Sequence, residues 1–355
     1  MLASPLPEPV GGSHSVAVEA TQDGAAWDDF LDQHPAATVD HLWGWRAIFQ
    51  NVFRHQTSYL MARRNGQCLG ALPLVLMKSR LFGRCAVSLP MLNYGGVLAT
   101  APEAISPLLE HAANVARDFR ARYLELRHCT RLTSLPAKQH KASMRLPLPR
   151  SADALWAALD RKVRNQIRKA QKSGMRVESG GAALVPPFYR VFSENMRDLG
   201  TPVYPIELFT TAFEVFPDRA KAFVVRTEDG EPVAAAIALA FRDQVLVPWA
   251  SARRAARQLC PNMLLYWNML EWSVASRYRI FDFGRSTIGG GTYEFKRQWG
   301  AVPEPQCWEY GLLAGGTLPQ HGPESSRFQT AVGIWKRLPL CVANAAGPLI
   351  VRNIP

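Results

Sequence analysis

The same order of secondary-structure patterns occurs twice along this chain. After two short helical patterns near 27–33 and 41–53, Tyr59-Leu-Met-Ala-Arg leads into an Asn65-Gly66 turn and an apolar strand over 69–77. A third strand over 85–89 follows. Next come a helix over 103–120, with apolar residues at Ile105, Leu108, Leu109, Ala112 and Val115, the alternating strand Tyr123-Leu-Glu-Leu-Arg, and a strand near 143–148. The second half opens on helices near 154–173, 188–198 and 206–216. It then gives a strand over 222–226, an Asp229-Gly230 turn, strands over 233–241 and 244–250, a helix over 262–276, a strand over 279–283 and a last strand near 306–313. Asn-Gly and Asp-Gly between strand-like runs are hairpin signals, because such turns need positive φ. The landmarks keep their spacing: Gly66 and Gly230 are 164 residues apart, Glu103 and Asn262 159, Tyr123 and Arg279 156. The pattern predicts a mixed α/β chain of two tandem units, each a twisted mixed sheet flanked by helices. A helix joining two strands makes them parallel, and a sheet that parts between such strands offers a ligand crevice. The expected divisions are a lead-in without fixed structure over 1–24, a first unit over 25–150, a second over 151–318 and a tail over 319–355.

Charge narrows the partners. The chain has 41 Lys+Arg against 29 Asp+Glu, a formal +12. That excess favours an anionic partner: a nucleotide, a nucleic acid, a polyphosphate or an anionic membrane surface. With 48% apolar and 20% charged residues, the composition is globular, not disordered. The six cysteines form no Cys-x-x-Cys pair and no zinc-like cluster with histidine, so no metal site is expected and a reducing, cytoplasmic location is. Residues 1–20 lack the basic and apolar regions of a secretory signal. No run reaches the roughly 18 apolar residues of a membrane span. The nearest, 338–351, is interrupted by Asn344, Gly347 and Pro348 and follows Trp335, Lys336 and Arg337, a composition open to peripheral contact with the inner membrane face.

Five segments carry candidate chemistry. Arg161, Lys162, Arg164, Arg168, Lys169 and Lys172 are crowded on one helix around an apolar stripe of Val163, Ile167 and Ala170. Such a face either holds phosphates, which Arg grips bidentately, or is simply solvated. Asn195-Met-Arg-Asp-Leu-Gly-Thr-Pro-Val-Tyr-Pro205 places Arg197 and Tyr204 in a stiffened loop, open to a site role or a plain helix connection. After the strand holding Trp249 comes a loop with Arg253, Arg254 and Arg257, and a helix then begins near Asn262, a combination suited to anions. In Arg279-Ile-Phe-Asp-Phe-Gly284, Asp282 sits inside an apolar strand and needs a partner, structural or catalytic. Beyond Gly289, Gly290 and Gly291, Phe295 and Lys296 follow; Lys296 offers a fixed positive charge near a developing oxyanion. Finally, Asn93 and Tyr94 precede Gly95-Gly96, which permits close backbone approach for an acceptor or simply forms a turn. No hydrolase elbow, Walker loop or His-Glu-x-x-His stands in the sequence, and the eight histidines occur singly.

Phe281-Asp-Phe-Gly284 with Phe295-Lys-Arg-Gln-Trp-Gly300, read with the duplicated plan and the Lys162-Val-Arg-Asn-Gln-Ile-Arg-Lys-Ala helix, resembles the FemAB family of acyl and aminoacyl transferases over roughly residues 25–315. Leu89-Pro-Met-Leu-Asn-Tyr-Gly-Gly, Leu199-Gly-Thr-Pro-Val-Tyr-Pro and Gly289-Gly-Gly-Thr-Tyr-Glu-Phe-Lys are similar to the branch associated with exosortase and PEP-CTERM systems. The resemblance implies two GNAT-like domains and transfer from an acyl-CoA or aminoacyl-tRNA co-substrate, with no resident cofactor. The implied acceptor is an amine on a small molecule, glycan or peptide, in exopolysaccharide or envelope assembly. Lys296 would stabilise the oxyanion and Asp282 orient a group or accept a proton. Asn93, Tyr94, Arg197, Tyr204, Trp249 and Phe295 would contact the acceptor. Arg164, Arg168, Arg253, Arg254 and Asn262 would hold donor phosphates. The chain departs from the family in two ways: the 253–262 loop lacks the Gly-x-Gly/Ala spacing of an acyl-CoA loop, and the long coiled-coil insertion of some tRNA-using members is missing. The alternative is a non-catalytic scaffold at the membrane surface or on glycan; nucleic-acid binding without chemistry ranks behind both.

Overall fold

The computed structural model describes residues 15–79, 83–313, 318 and 326–355. Its strands, in chain order, are β1 (Ala17–Ala20), β2 (Gln56–Arg64), β3 (Gln67–Ser79), β4 (Gly83–Val87), β5 (Leu98–Ala99), β6 (Tyr123–His128), β7 (Ala137–Lys138), β8 (Lys141–Pro147), β9 (Arg176–Gly180), β10 (Ala220–Arg226), β11 (Pro232–Phe241), β12 (Gln244–Ala252), β13 (Ile280–Thr287), β14 (Val302–Pro305) and β15 (Cys307–Leu312). The helices are α1 (Gly24–Gln33), α2 (Gly44–Asn51), α3 (Ile105–Asp118), α4 (Ala152–Ala158), α5 (Arg161–Lys172), α6 (Val185–Leu199), α7 (Ile206–Val215), α8 (Pro261–Ala275), α9 (Gly291–Arg297), α10 (Ser326–Trp335) and α11 (Leu340–Val351). Both hairpins turn where expected, with positive φ at Asn65, Gly66 and Gly230.

The strands form two sheets, ordered β1-β2-β3-β4-β6-β15-β7 and β14-β8-β13-β12-β11-β10-β9, with β5 beside β3. Each contains one parallel pair, β4 with β6 and β12 with β13. Two strands cross the expected joint at 150. β8, read as the end of the first sheet, lies between β13 and β14 in the second; β15, read as the end of the second, pairs with β6 in the first. Local patterning names a strand but not its partner, since either sheet edge satisfies its hydrogen bonds. The exchange ties the halves together on both sides.

A shared core fills the space between the sheets, built from Trp27, Trp45, Phe49, Phe188, Phe209 and Trp249 among others. Separate clusters lie outside each sheet, under α3 on one side and under α5 and α8 on the other. β11 shows why: Ala234, Ala236 and Ala238 face the outer cluster while Ala235, Ile237 and Leu239 face the shared core, so both faces of the strand are covered.

Two further expectations change, and the tail gains detail. Part of the lead-in, Ala17–Ala20, is an edge strand on β2; residues 1–14 lie outside the described residues. The helix over 154–173 is two helices, because Leu159 and Asp160 are extended. Ser151 Oγ caps the first, accepting the Ala154 N–H. The tail carries two helices, and α11 seats Gly347 so close to Val203 that a Cβ would meet its backbone nitrogen at 2.8 Å.

Candidate functional site

Where the first half meets β13, a buried polar centre forms. Its first member is set by two tryptophans: the indole N–H groups of Trp27 and Trp45 donate to the carbonyls of His41 and Val39, both at 2.8 Å, and fix the 39–41 turn. That turn buries Asp40 completely. Its Oδ2 accepts the N–H groups of Asn93 at 2.8 Å and Tyr94 at 3.0 Å, anchoring the 88–97 segment. The Tyr94 hydroxyl then donates to Asp282 Oδ2 at 2.5 Å, while Asp282 Oδ1 accepts the Gly284 N–H at 2.7 Å. Gly284 has φ +74°, which brings its N–H back onto the carboxylate. Lys296 Nζ donates to the carbonyls of Gly284 (3.0 Å) and Arg285 (3.1 Å). Gln306 Nε2 joins the Asn93 carbonyl to Ser143 Oγ. The Tyr94–Asp282 and Gln306–Asn93 bonds tie the two halves together at this centre.

Burial dominates the electrostatics of this centre. It pushes the Asp282 carboxyl up, against the pull of the Tyr94 hydroxyl, the Gly284 N–H, Arg145 and Lys296. It draws the Lys296 ammonium down to about 8, opposed by Asp282. It raises Asp40 from 3.8 to about 7. The Asp40 shift gives a testable slope. Between about pH 4 and 7 the folded protein keeps a proton that the unfolded chain has lost, so this group lowers stability as pH rises, in total by roughly 4 kcal/mol. His41 and His55, drawn down by burial to about 3 and about 4, act in the opposite sense below about pH 6.5. Asp40→Asn keeps an oxygen for the two N–H groups. Urea denaturation at several pH values should show the variant gaining on the wild type steadily from pH 4 to 7.

The second feature is a crevice. β12 and β13 are paired only over Gln244–Leu246 and Ile280–Asp282; beyond that they part. On the widening side lies a cavity of about 640 Å³, a size typical for small-molecule and cofactor sites. The N-terminus of α8 opens onto it through Pro261, Asn262 and Met263. Cys260, at φ +58°, turns the chain into this helix, and Pro261 occupies its first position. Lys162, Arg253, Arg254, Arg257 and Lys336 bring positive charge to the wall against one acid, Asp198. A helix N-terminus with such neighbours is electrostatically suited to an anion.

The structure distributes the expected residues between these features. Arg253, Arg254, Asn262 and Phe295 line the crevice cavity. Arg253 is held there by Glu194 at 3.0 Å and Glu231 at 3.2 Å. Asn93, Tyr94, Asp282 and Lys296 meet in the polar centre. The others lie apart from both. Arg168 stacks over Trp156 at 5.2 Å, and Arg164 lies on α5 outside the cavity wall. Arg197 pairs with Asp198 at 2.7 Å and donates to the Leu338 carbonyl, holding the tail. Trp249 is buried between Trp45 and Phe209, and Tyr204 packs beside Phe53 and Phe192. The sequence reading missed Asp40, Gln306, and the pairing of His128 with Glu309 at 2.6 Å. The only local hint, in the case of Asp40, was an acid shortly before Trp43 and Trp45. Among the described residues, no group of three or more His, Cys, Asp or Glu is placed to hold a metal ion.

Residues 157–297 match the family model described as "Acetyltransferase (GNAT) domain". The match spans α5, β12, the crevice, β13 and Lys296. No curated protein matches the chain in sequence. Among solved structures, the chain is similar to FemX, with a TM-score of 0.63 and 15% identity over 84% of this chain and 98% of that one. It is also similar to a tandem GNAT protein from the clavulanic acid biosynthesis pathway, with a TM-score of 0.52 and 13% identity over 86% and 99%. A third is the C-terminal DUF2156 domain assigned to a lysylphosphatidylglycerol synthetase of Agrobacterium fabrum, at 0.54 and 12% over 82% and 91%. The fold is thus a tandem pair of GNAT-like units.

Proposed function

We propose that this chain is an N-acyltransferase whose donor, an acyl-CoA or aminoacyl-tRNA, is held by its phosphates in the β12/β13 crevice. The observation that carries this reading is the convergence, at one cavity beside the end of β12, of a helix N-terminus and four lysines and arginines beyond the ion-paired Arg253. The acceptor amine attacks the donor carbonyl, the C–N bond forms, and the bond to the thiol or ribose oxygen breaks with its electron pair. Lys296 lies behind β13 as a fixed cation and stabilises the oxyanion through space, since two of its donors are taken by carbonyls. Asp282 keeps Lys296 charged and Tyr94 in place. Exposed Ile334, Val342 and Leu349 on the C-terminal helices, beside Lys336, Arg337 and Arg352, support seating on an anionic inner membrane face. That location suits an acceptor in envelope or exopolysaccharide assembly, as the PEP-CTERM-associated resemblance implies. Among the described residues no helix is long and apolar enough to cross a membrane.

Native mass spectrometry with a series of acyl-CoAs and with aminoacyl-tRNA tests the donor site. One of these should bind the wild type and lose about tenfold or more in affinity in Arg254→Glu/Arg257→Glu, about 1.4 kcal/mol per factor of ten. Binding that ignores both the charge reversal and added salt would overturn the phosphate assignment.

A further inference from the structure

The donor cavity takes its wall from the second half of the chain, with one exception. Its other described lining residues fall between Lys162 and Gln298; Lys336 comes from the C-terminal tail, one residue past the end of α10. A lysine near a chain end reaches a site reliably only if its segment is tied down, since untied termini are poorly ordered. Here the tail is fitted to α6, the helix whose Asn195, Asp198 and Leu199 form another part of the same wall.

Two glycines make the fit. Gly200 ends α6 in the left-handed conformation, at φ +79°. A Cβ there would lie 2.5 Å from Val332 Cγ1 and 3.1 Å from Lys336 Cε, so the end of α10 and the stem of Lys336 occupy the space the glycine leaves. In α11, Gly347 lies against Val203: a Cβ would be 2.8 Å from its backbone nitrogen and 2.9 Å from its carbonyl oxygen. Arg197 spans the two sides. Its Nε donates to Asp198 of the cavity wall at 2.7 Å, and its Nη1 donates at 3.2 Å to the carbonyl of Leu338, two residues beyond the lysine. Ala343 is buried, and Val351 enters the shared core. Lys336 is thus bracketed by anchors: Val332 on Gly200 before it, Leu338 on Arg197 and Gly347 on Val203 after it. The residue itself is exposed, which leaves its head accessible to a ligand in the cavity.

We propose that the C-terminal tail is a working part of the donor site: Lys336 binds a donor phosphate, and the seating of α10 and α11 on Gly200 and Val203 sets how tightly. This rests on the phosphate-donor reading above and adds the segment that completes the site. The coupling is reciprocal. Seating that raises donor affinity is itself strengthened by the bound phosphate.

The probe is inorganic pyrophosphate, titrated calorimetrically into the full chain; it carries the phosphate chemistry without acyl group or nucleoside. Lys336→Ala, at an exposed position, should weaken its binding about fivefold, the upper end for one exposed ion pair. Gly347→Leu lies outside the cavity wall and cannot seat against the Val203 backbone. It should release α11, seen as faster amide hydrogen exchange, and lose the same factor in affinity. The double variant should bind no more weakly than either single one. Exchange also reads the coupling in reverse. Saturating pyrophosphate should slow exchange in α11 about fivefold in the wild type and not at all in Lys336→Ala. Wild-type affinity in either single variant, or slowing that persists in Lys336→Ala, overturns the proposal. If Arg254→Glu/Arg257→Glu abolishes pyrophosphate binding in that case, the donor reading stands without the tail. If pyrophosphate does not bind the wild type, or binds regardless of that charge reversal, the donor reading falls as well.

Discussion

Lys296→Met should lower turnover about 10²–10³-fold, the usual cost of removing one preorganised donor or charge from an oxyanion's surroundings. Donor affinity, measured separately, should stay near the wild-type value, because the side chain does not line the donor cavity. The pH profile should carry a second signature. Burial draws the ammonium down to about 8, so wild-type activity should fall as pH rises through about 8, where a solvent-exposed lysine would hold its charge to about 10.5. Lys296→Arg keeps the charge and should carry the plateau well above pH 9, at reduced rate. Stability moves the other way. Between about pH 8 and 10.5 the folded lysine has lost a proton that the unfolded one retains, so the wild type gains stability with rising pH over that window. The methionine variant should show no such gain. Full turnover in Lys296→Met would remove the lysine from the chemistry and leave it as a clamp on the Gly284 and Arg285 carbonyls.

Much of the fold was legible because it is written in local periodicity. Asn65-Gly66 and Asp229-Gly230 fix turns through backbone sterics alone, and the stripe at Ile105, Leu108 and Ala112 fixes a helix. What was not legible was partnership. His128 and Glu309 are 181 residues apart, Tyr94 and Asp282 188. Nothing in a single strand's pattern says that β8 and β15 exchange sheets, yet that exchange carries Glu309 to His128 and Ser143 to Gln306. The acceptor residues fared worst for a related reason. Trp249 and Tyr204 have side chains that suit a site, but the same area of ring is worth as much in a core, and there the shared core took them. Asp282 was legible as a problem, a carboxylate in an apolar strand, before the structure supplied its partners.

Those partners make Asp282 the residue whose loss should destabilise most. Asp282→Ala strands the Tyr94 hydroxyl and the Gly284 N–H in a buried site and removes the negative charge beside Lys296. Breaking one side of a buried charged network costs about 3–5 kcal/mol, readable as a lower urea midpoint with an unchanged slope. Asp282→Asn leaves an acceptor in place and should cost less, within the 1.5–3 kcal/mol of a charged hydrogen bond. A double-mutant cycle with Tyr94→Phe should return a coupling of about 1–3 kcal/mol, since these two side chains join the halves directly. The catalytic consequence is separable from the structural one. Without the carboxylate, Lys296 loses the neighbour that holds its proton, so the alkaline limb of the activity profile in Asp282→Asn should move below about 8. If that limb stays in place while stability falls, Asp282 is a bolt between the halves and does not tune the lysine. If the limb moves, the bond that holds the two halves together also sets the charge at the reacting centre.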